Sequence, residues 1–225
     1  MRKRYDLSQI PEKPNLEFEK KLWGKNTRFV AGLDEAGRGA LAGPLISAAV
    51  ILPWDDPDLL EKLEGVRDSK QLTARKRANL VETIQSVALY WAYGRVEAEE
   101  IDQRGISLAG QFVFMRAIES LAQQPEHLLL DFFAIPQLPM FQTAIVKGDQ
   151  RSLSIACASV LAKEARDAEM RTLDEIYPGY RFSQNKGYGT LAHREAIERF
   201  NACPQHRRTF TLLPLQLPIP GLMDR

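Results

Sequence analysis

Two apolar runs in this chain end in the same way. Val30-Ala31-Gly32-Leu33 runs into Asp34, and His127-Leu128-Leu129-Leu130 runs into Asp131. Strand interiors disfavour Asp, and a carboxylate needs water or a partner. A turn residue or a helix cap accounts for either Asp taken singly. If the two strands are parallel neighbours, both acids stand at one edge of a sheet, where open α/β sheets place their ligands.

The surrounding pattern supports such a sheet. Strand signals at 29–33 and 45–52 flank Gly37-Arg38-Gly39, which predicts a hairpin-like pair, and 87–96 reads as a third strand. Thr73 is a good N-cap for a helix to about Ser86. Residues 97–103 begin helically, and 107–123, 154–176 and 190–200 carry helical periodicity. A last short strand at 143–146 is stopped by Lys147-Gly148-Asp149. Three strands that meander, then two that alternate with helices, predict one α/β domain with a mixed sheet. A small helical appendage is expected from about residue 180. Residues 1–27, polar and holding Pro11 and Pro14, read as an N-terminal extension, 28–210 as the domain, and 211–225 as a Pro-rich tail.

A chain of 225 residues buries roughly 70% of its unfolded surface and needs no disulfide or metal to fold. The two cysteines, Cys157 and Cys203, lack metal-ligand spacing and favour a reducing compartment. No apolar leader is visible in the first ten residues, and the richest apolar stretch, 41–54, is too short to span a bilayer. The expectation is a cytoplasmic protein without membrane contact, acting as a monomer. Formal net charge is +1, so any nucleic-acid site must be a local basic patch.

Several residues are candidates for chemistry. Glu35 follows Asp34, and neighbours in a regular strand point to opposite faces, so both reach one site only if the chain bends near Ala36-Gly37. Ala156, Val160, Lys163 and Asp167 share one helix face, which either packs on the sheet with Asp167 turned inward or carries a solvated Lys163–Asp167 pair. The pattern alone leans to the pair. Carboxylates converging at strand ends raise one another's pKa or bind a cation, and all-oxygen ligands point to Mg²⁺ or Mn²⁺. Gly37-Arg38-Gly39 is either a plain turn or a backbone nest close to a ligand. Arg75, Lys76 and Arg77 oppose the dipole of the helix capped by Thr73; with Lys70 they form a phosphate site or an exposed basic turn. Residues 181–208 hold six Lys/Arg against two Glu, and Tyr188 between two glycines could stack on a sugar or base, or be buried at a turn.

Together these segments resemble the ribonuclease HII (type 2 ribonuclease H) family. The resemblance rests on AGLDEAGRGALAGP (31–44), RDSKQLTARKR (67–77), EIDQRGI (100–106), VKGD (146–149), SIACASVLAKEARDAEM (154–170), KGYGT (186–190) and HRRTF (206–210). It implies an RNase H-like fold, a five-stranded mixed sheet flanked by helices with a helical C-terminal part. It implies a catalytic and metal-binding set of Asp34, Glu35, Asp131 and Asp167 that holds two divalent ions, Mg²⁺ or Mn²⁺. In that resemblance Gly37, Arg38 and Gly39 sense the ribose 2′-OH, and Tyr188 packs on the sugar of the following deoxynucleotide. The implied reaction is endonucleolytic hydrolysis of the RNA strand of RNA–DNA hybrids. Incision on the 5′ side of ribonucleotides in duplex DNA, leaving a 5′-phosphate, is also implied, as in ribonucleotide excision repair. The chain departs from the family pattern at Phe132, where Gly is usual after the third carboxylate, and at Asn185, where His often precedes Lys-Gly-Tyr. A nucleotide-binding switch is disfavoured, since the chain has no G-x-x-x-x-G-K-[ST].

Overall fold

The computed structural model describes residues 10–131 and 133–213. The departure at Phe132, residues 1–9 of the expected extension and residues 214–225 of the expected tail lie outside the described residues. The chain enters through a short helix, α1 (Glu17–Trp23), and then the hairpin β1 (Val30–Ala36) and β2 (Leu45–Ile51). Helices α2 (Leu59–Lys62) and α3 (Ala74–Val87) lead to β3 (Tyr90–Val96), and α4 (Ala98–Arg104) and α5 (Ile106–Glu119) lead to β4 (His127–Asp131). After β5 (Phe141–Ile145) come the long α6 (Leu153–Ile176), a short α7 (Phe182–Asn185) and α8 (Leu191–Phe200).

The five strands form one sheet in the order β3-β2-β1-β4-β5. The first three strands are antiparallel neighbours, whereas β1, β4 and β5 run parallel. This is the mixed sheet the sequence predicts. Every residue of β2, Leu-Ile-Ser-Ala-Ala-Val-Ile, is buried, as expected of a strand covered on both faces. One face packs on α5 through Leu33, Leu45, Val113 and Phe114. The other packs on α3 and α6 through Val50, Ile84, Val160 and Leu161. Gly32 lets α6 lie against the sheet, because a Cβ there would stand 2.3 Å from the carbonyl carbon of Ser154. The C-terminal helices build a smaller core on the end of α6 from Met170, Tyr180, Phe182 and Ile197.

Register places the acids. Leu33 pairs with Leu130, so the next residues, Asp34 and Asp131, emerge side by side from parallel neighbours. Thr73 caps α3 as predicted, its hydroxyl accepting from the N–H of Lys76.

The structure corrects the sequence reading at the N-terminal side. Residues 15–23 are part of the domain: Leu16 joins the α6 core, and the buried Glu19 accepts from Ser152 Oγ at 2.6 Å and from the Ser154 N–H at 3.0 Å. That carboxylate sits where the first N–H groups of α6 lack helical partners. The segment looked like an extension because it is short and heavily charged. Strand β3 begins later than expected because α3 continues to Val87. No helix among the described residues is long and apolar enough to cross a membrane.

Candidate active site

The carboxyl ends of β1 and β4 open into a cleft of about 520 Å³. Asp34, Glu35, Gly37, Arg38, Gly39, Lys70, Asp131, Ser159, Lys163 and Tyr188 line it. Asp34 lies on the α6 face, like Gly32 two residues earlier, and Glu35 lies on the opposite face. Both reach the cleft because it wraps the end of the strand, so no bend between them is needed. The turn comes afterwards, at Gly37 with φ 101°.

The acids are crowded. Asp34 has its pKa raised well above the usual carboxylate value, by burial first and then by Glu35, Asp131 and Asp149. Burial also raises Asp131. Glu35 is raised by burial and Asp131 against the opposing pull of Arg38. Two like charges about 5 Å apart repel by roughly 3 kcal/mol at an effective dielectric of 20. Fully buried side chains such as Leu33, Leu130 and Ile155 contribute about 1.5–3 kcal/mol each, which is enough to hold the crowded edge in place.

Asp149 is the member the sequence reading missed. It lies in a 3₁₀ turn (Gly148–Gln150) just after β5, is buried, and is raised to about 6 by burial, then Asp131 and Asp68. The turn is locked to β4, since the Gly148 N–H donates to Asp131 Oδ1 at 2.8 Å. A usable signal was present: Asp149 follows the strand beside β4, so a third parallel strand end carries an acid. The sequence reading takes Lys147-Gly148-Asp149 as a strand stop and as part of the family resemblance, and gives Asp149 no chemical role.

Neither Asp149 nor Asp167 lines the cleft itself, but Asp149 helps to raise Asp34 and is itself raised by Asp131, whereas Asp167 is held by cations. Both sequence alternatives contain part of the answer. Lys163 Nζ does pair with Asp167 Oδ1, at 2.5 Å, but the carboxylate is buried instead of solvated. Its second partner is Arg77 Nη2, at 3.0 Å. Arg77 therefore departs from the expected phosphate role. Its guanidinium is buried, and Nη1 donates to the Ser69 and Leu72 carbonyls. It pins the Asp68-Ser69-Lys70 turn onto α6, where Ser69 Oγ also meets Ser159 Oγ at 3.0 Å. Lys70 is thereby held over the acids. Burial works against its charge, yet Asp68, Asp34, Asp149 and Asp131 together keep its pKa above the ordinary lysine value. Arg75 and Lys76 are exposed, and Lys76 with Arg67 and Thr73 edges a separate cleft of about 360 Å³.

The glycine loop stands on two buried arginines. Arg207 Nη1 donates to the carbonyls of Gly37 (2.8 Å) and Arg38 (3.1 Å), and its Nη2 to that of Gly43 (2.9 Å). Arg166 donates to the carbonyls of Pro44, Ala42 and Lys186. Burial pulls Arg207 down to about 9, which leaves it charged at neutral pH. A Cβ on Gly37 would collide with Arg166 Nε at 2.0 Å. Arg166 also bridges to the Lys186-Gly187-Tyr188 segment, and its guanidinium lies 5.5 Å from the Tyr188 ring centre. That ring is 38% exposed on the cleft, so it is not a buried turn residue. Arg38 reaches back to within 3.6 Å of Glu35 and lies over the Phe133 ring.

The chain also matches known proteins. Residues 31–213 match the family model described as Ribonuclease HII. The chain belongs to the ribonuclease HII family. As a member it is an enzyme, a nuclease that hydrolyses the RNA of RNA–DNA hybrids. A ribonuclease HII of Synechococcus sp. (strain JA-3-3Ab) is 50% identical over 89% of this chain and 89% of its own length. One of Anaeromyxobacter sp. (strain Fw109-5) is 47% identical over 87% of this chain, and the match spans 60% of that longer protein. The crystal structure of the ribonuclease H2 from Pyrococcus horikoshii OT3 superimposes with a TM-score of 0.66 at 27% identity, covering 81% of this chain and 94% of that one. The ribonuclease HII span includes every cleft residue named above and both buried arginines.

Proposed function

We propose that this member of the ribonuclease HII family also incises duplex DNA on the 5′ side of an embedded ribonucleotide, by divalent-ion-assisted hydrolysis that leaves a 5′-phosphate. The observation that carries the reading is a single cleft holding three carboxylates, a glycine loop and an exposed tyrosine. The donor set is all oxygen and suits Mg²⁺ or Mn²⁺. Its raised pKa values are those of a cluster short of positive charge. Among the described residues no three Asp, Glu, His or Cys side chains form a ready-made metal cage. We assign Asp34, Glu35, Asp131 and Asp149 as the groups that would hold the ions. In this assignment Asp149 takes the place that the family resemblance gave to Asp167, and Asp167 holds Lys163 and Arg77. When bound, a pair of such ions activates the attacking water and stabilises the leaving oxygen.

The chain's own groups supply the selection. The backbone of residues 37–39, fixed by Arg207, offers hydrogen bonds to a ribose 2′-OH, and a site built to pair a hydroxyl strongly rejects a sugar without one. Tyr188 supports the next sugar, which fits best without a 2′-OH. Lys70 and Lys163 balance phosphate charge at the cleft, and Arg75 and Lys76 contact phosphates farther along the duplex. In hydrolysis the water oxygen joins phosphorus, and the bond from phosphorus to the 3′-oxygen of the preceding nucleotide breaks. That oxygen leaves as a hydroxyl. We place the enzyme in the cytoplasm as a monomer acting in ribonucleotide excision repair.

Incubation with a labelled RNA–DNA hybrid and Mg²⁺ tests the metal assignment. Asp34→Asn keeps the shape and removes a ligand charge, so cleavage is expected to fall at least ~1000-fold while hybrid binding persists. A variant that cuts at the parent rate refutes the assignment.

A further inference from the structure

Two buried histidines stand behind Tyr188, and none of the roles above uses them. His193 lies in the first turn of α8, and His206 in the segment beyond it. They are 0% and 1% exposed, with their Nε2 atoms 3.1 Å apart. The backbone N–H of Cys203 meets His206 Nδ1 at 3.0 Å, and His193 Nδ1 lies 2.9 Å from the Tyr188 carbonyl oxygen.

One arrangement of protons matches the two rings to each other. His206 Nδ1 has the Cys203 N–H at 3.0 Å, the Sγ at 3.1 Å and the carbonyl oxygen at 3.3 Å; accepting from the N–H there leaves its proton on Nε2, facing His193. The Tyr188 carbonyl can only accept, so His193 carries its proton on Nδ1 and presents a bare Nε2 to His206. Both rings are neutral, and all four nitrogens are matched. Burial agrees with neutrality: it lowers His193, and with His193 beside it lowers His206 to about 4.

The chain of bonds ends on the peptide that carries the exposed ring. Among the described residues the Tyr188 hydroxyl makes no hydrogen bond within the chain, so the ring takes its direction from its backbone and from the Lys163 and Arg166 cations beside it. That backbone is tied at each point: the Tyr188 N–H donates to Asn185, its carbonyl also accepts from the Thr190 N–H, and Gly187 accepts from Leu41 and Ala42. His193 adds a side-chain donor to the Tyr188 carbonyl. His206 in turn bridges to Ala42, in the loop that begins with Gly37-Arg38-Gly39. The histidine pair thus joins the tyrosine turn to the loop that reads the ribose.

We propose that His193, backed by His206, is a positioning residue that aims Tyr188 at the sugar after the ribonucleotide. The proposal rests on the role given to Tyr188 above. A double-mutant cycle tests it, with kcat/KM measured on a DNA duplex carrying one ribonucleotide for the parent, His193→Phe, Tyr188→Ala and the double variant. Phe keeps the ring packed on Phe182 and removes both bonds. His193→Phe is expected to lose roughly 10-fold when Tyr188 is present and less than about 2-fold when it is absent. Equal losses in both backgrounds overturn the proposal, since a general structural role is additive. If His193→Phe does not fold, the same cycle is run with His206→Phe, which removes the second link and keeps a ring against Tyr180, and it carries the same two outcomes. If Tyr188→Ala alone leaves kcat/KM unchanged, the reading of Tyr188 fails first, and this proposal falls with it.

Discussion

The carboxyl edge of the sheet and the C-terminal frame handle charge in opposite ways. At the edge, Asp34, Glu35, Asp131 and Asp149 lie close together, and their pKa values are raised. In the frame, Arg166 and Arg207 are more deeply buried, yet their guanidinium groups donate to backbone carbonyls on several sides. A group built for rigidity is satisfied inside the chain. A group built to take a ligand is left short of a partner until the ligand arrives. The difference separates two kinds of buried charge that look alike in composition.

The largest expected effects set the two regions against each other. Asp149→Asn should lower hybrid cleavage at least ~100-fold while leaving the melting temperature unchanged or higher, because it relieves repulsion. Arg207→Gln should do the reverse in kind: orphaned carbonyls cost roughly 3 kcal/mol, a drop of about 10 °C. Asp167→Asn belongs with Arg207, losing stability as Arg77 loses the charge of its nearer carboxylate partner. Thermal melts and initial rates on the same preparations decide the matter. Asp149→Asn with full activity, or Arg207→Gln with an unchanged melting temperature, breaks the comparison.

A middle-sized effect follows from pH. Asp149 is raised in the folded chain to about 6, above its unfolded value. Such a group adds stability below the unfolded pKa, and that stability is lost as pH rises through the folded one. The contribution of Asp149 to the stability of the metal-free protein should therefore grow as pH falls from about 7.5 towards 5.5. His206, lowered to about 4, acts in the opposite sense, its stability being present above the unfolded value and lost as pH falls. The Asp149 share is the part of the slope that disappears in Asp149→Asn. Identical melting curves for parent and variant across that range would count against the crowded-edge account, and saturating Mn²⁺ should flatten the slope near neutral pH.

The smallest effect separates true phosphate contacts from look-alikes. Arg75→Gln with Lys76→Gln should weaken hybrid binding, lower the salt slope by about 2, and leave stability alone. Arg77→Gln should instead destabilise the fold. Binding measured across a salt series, with melting curves alongside, distinguishes them. A salt slope unchanged by the double replacement removes these residues from the interface.

Much of this was legible in the sequence, for physical reasons. The five strands announced themselves through apolar runs, and the acids at 34 and 131 through their cost inside a strand. The i,i+4 spacing of Lys163 and Asp167 gives the ion pair that forms, but a shared face does not report burial or the Arg77 that lies across from it. Arg77 looked like its neighbours in the first turn of α3, but one step along a helix turns a side chain by about 100°, and only the docking of α3 on α6 shows which way. The basic excess in 181–208 is not all surface charge, for a related cause: Arg207 is a buried strut, and Arg194 donates to the carbonyls of Gly189 and Thr211. Counting charges locates them along the chain, whereas burial decides whether they meet solvent. Asp149 was missed because a Lys-Gly-Asp turn has the composition of any strand stop.

The central claim is that the carboxylate edge, the glycine loop and Tyr188 act as one site that reads a single ribose. The most direct measurement is a denaturing gel of an end-labelled DNA duplex carrying one ribonucleotide, beside an all-DNA duplex and a hybrid with a continuous RNA strand. The account predicts one cut on the 5′ side of the lone ribonucleotide, ending in a 3′-hydroxyl and a 5′-phosphate, with the all-DNA duplex intact. Cleavage that requires several consecutive ribonucleotides, with none at the single one, would contradict it.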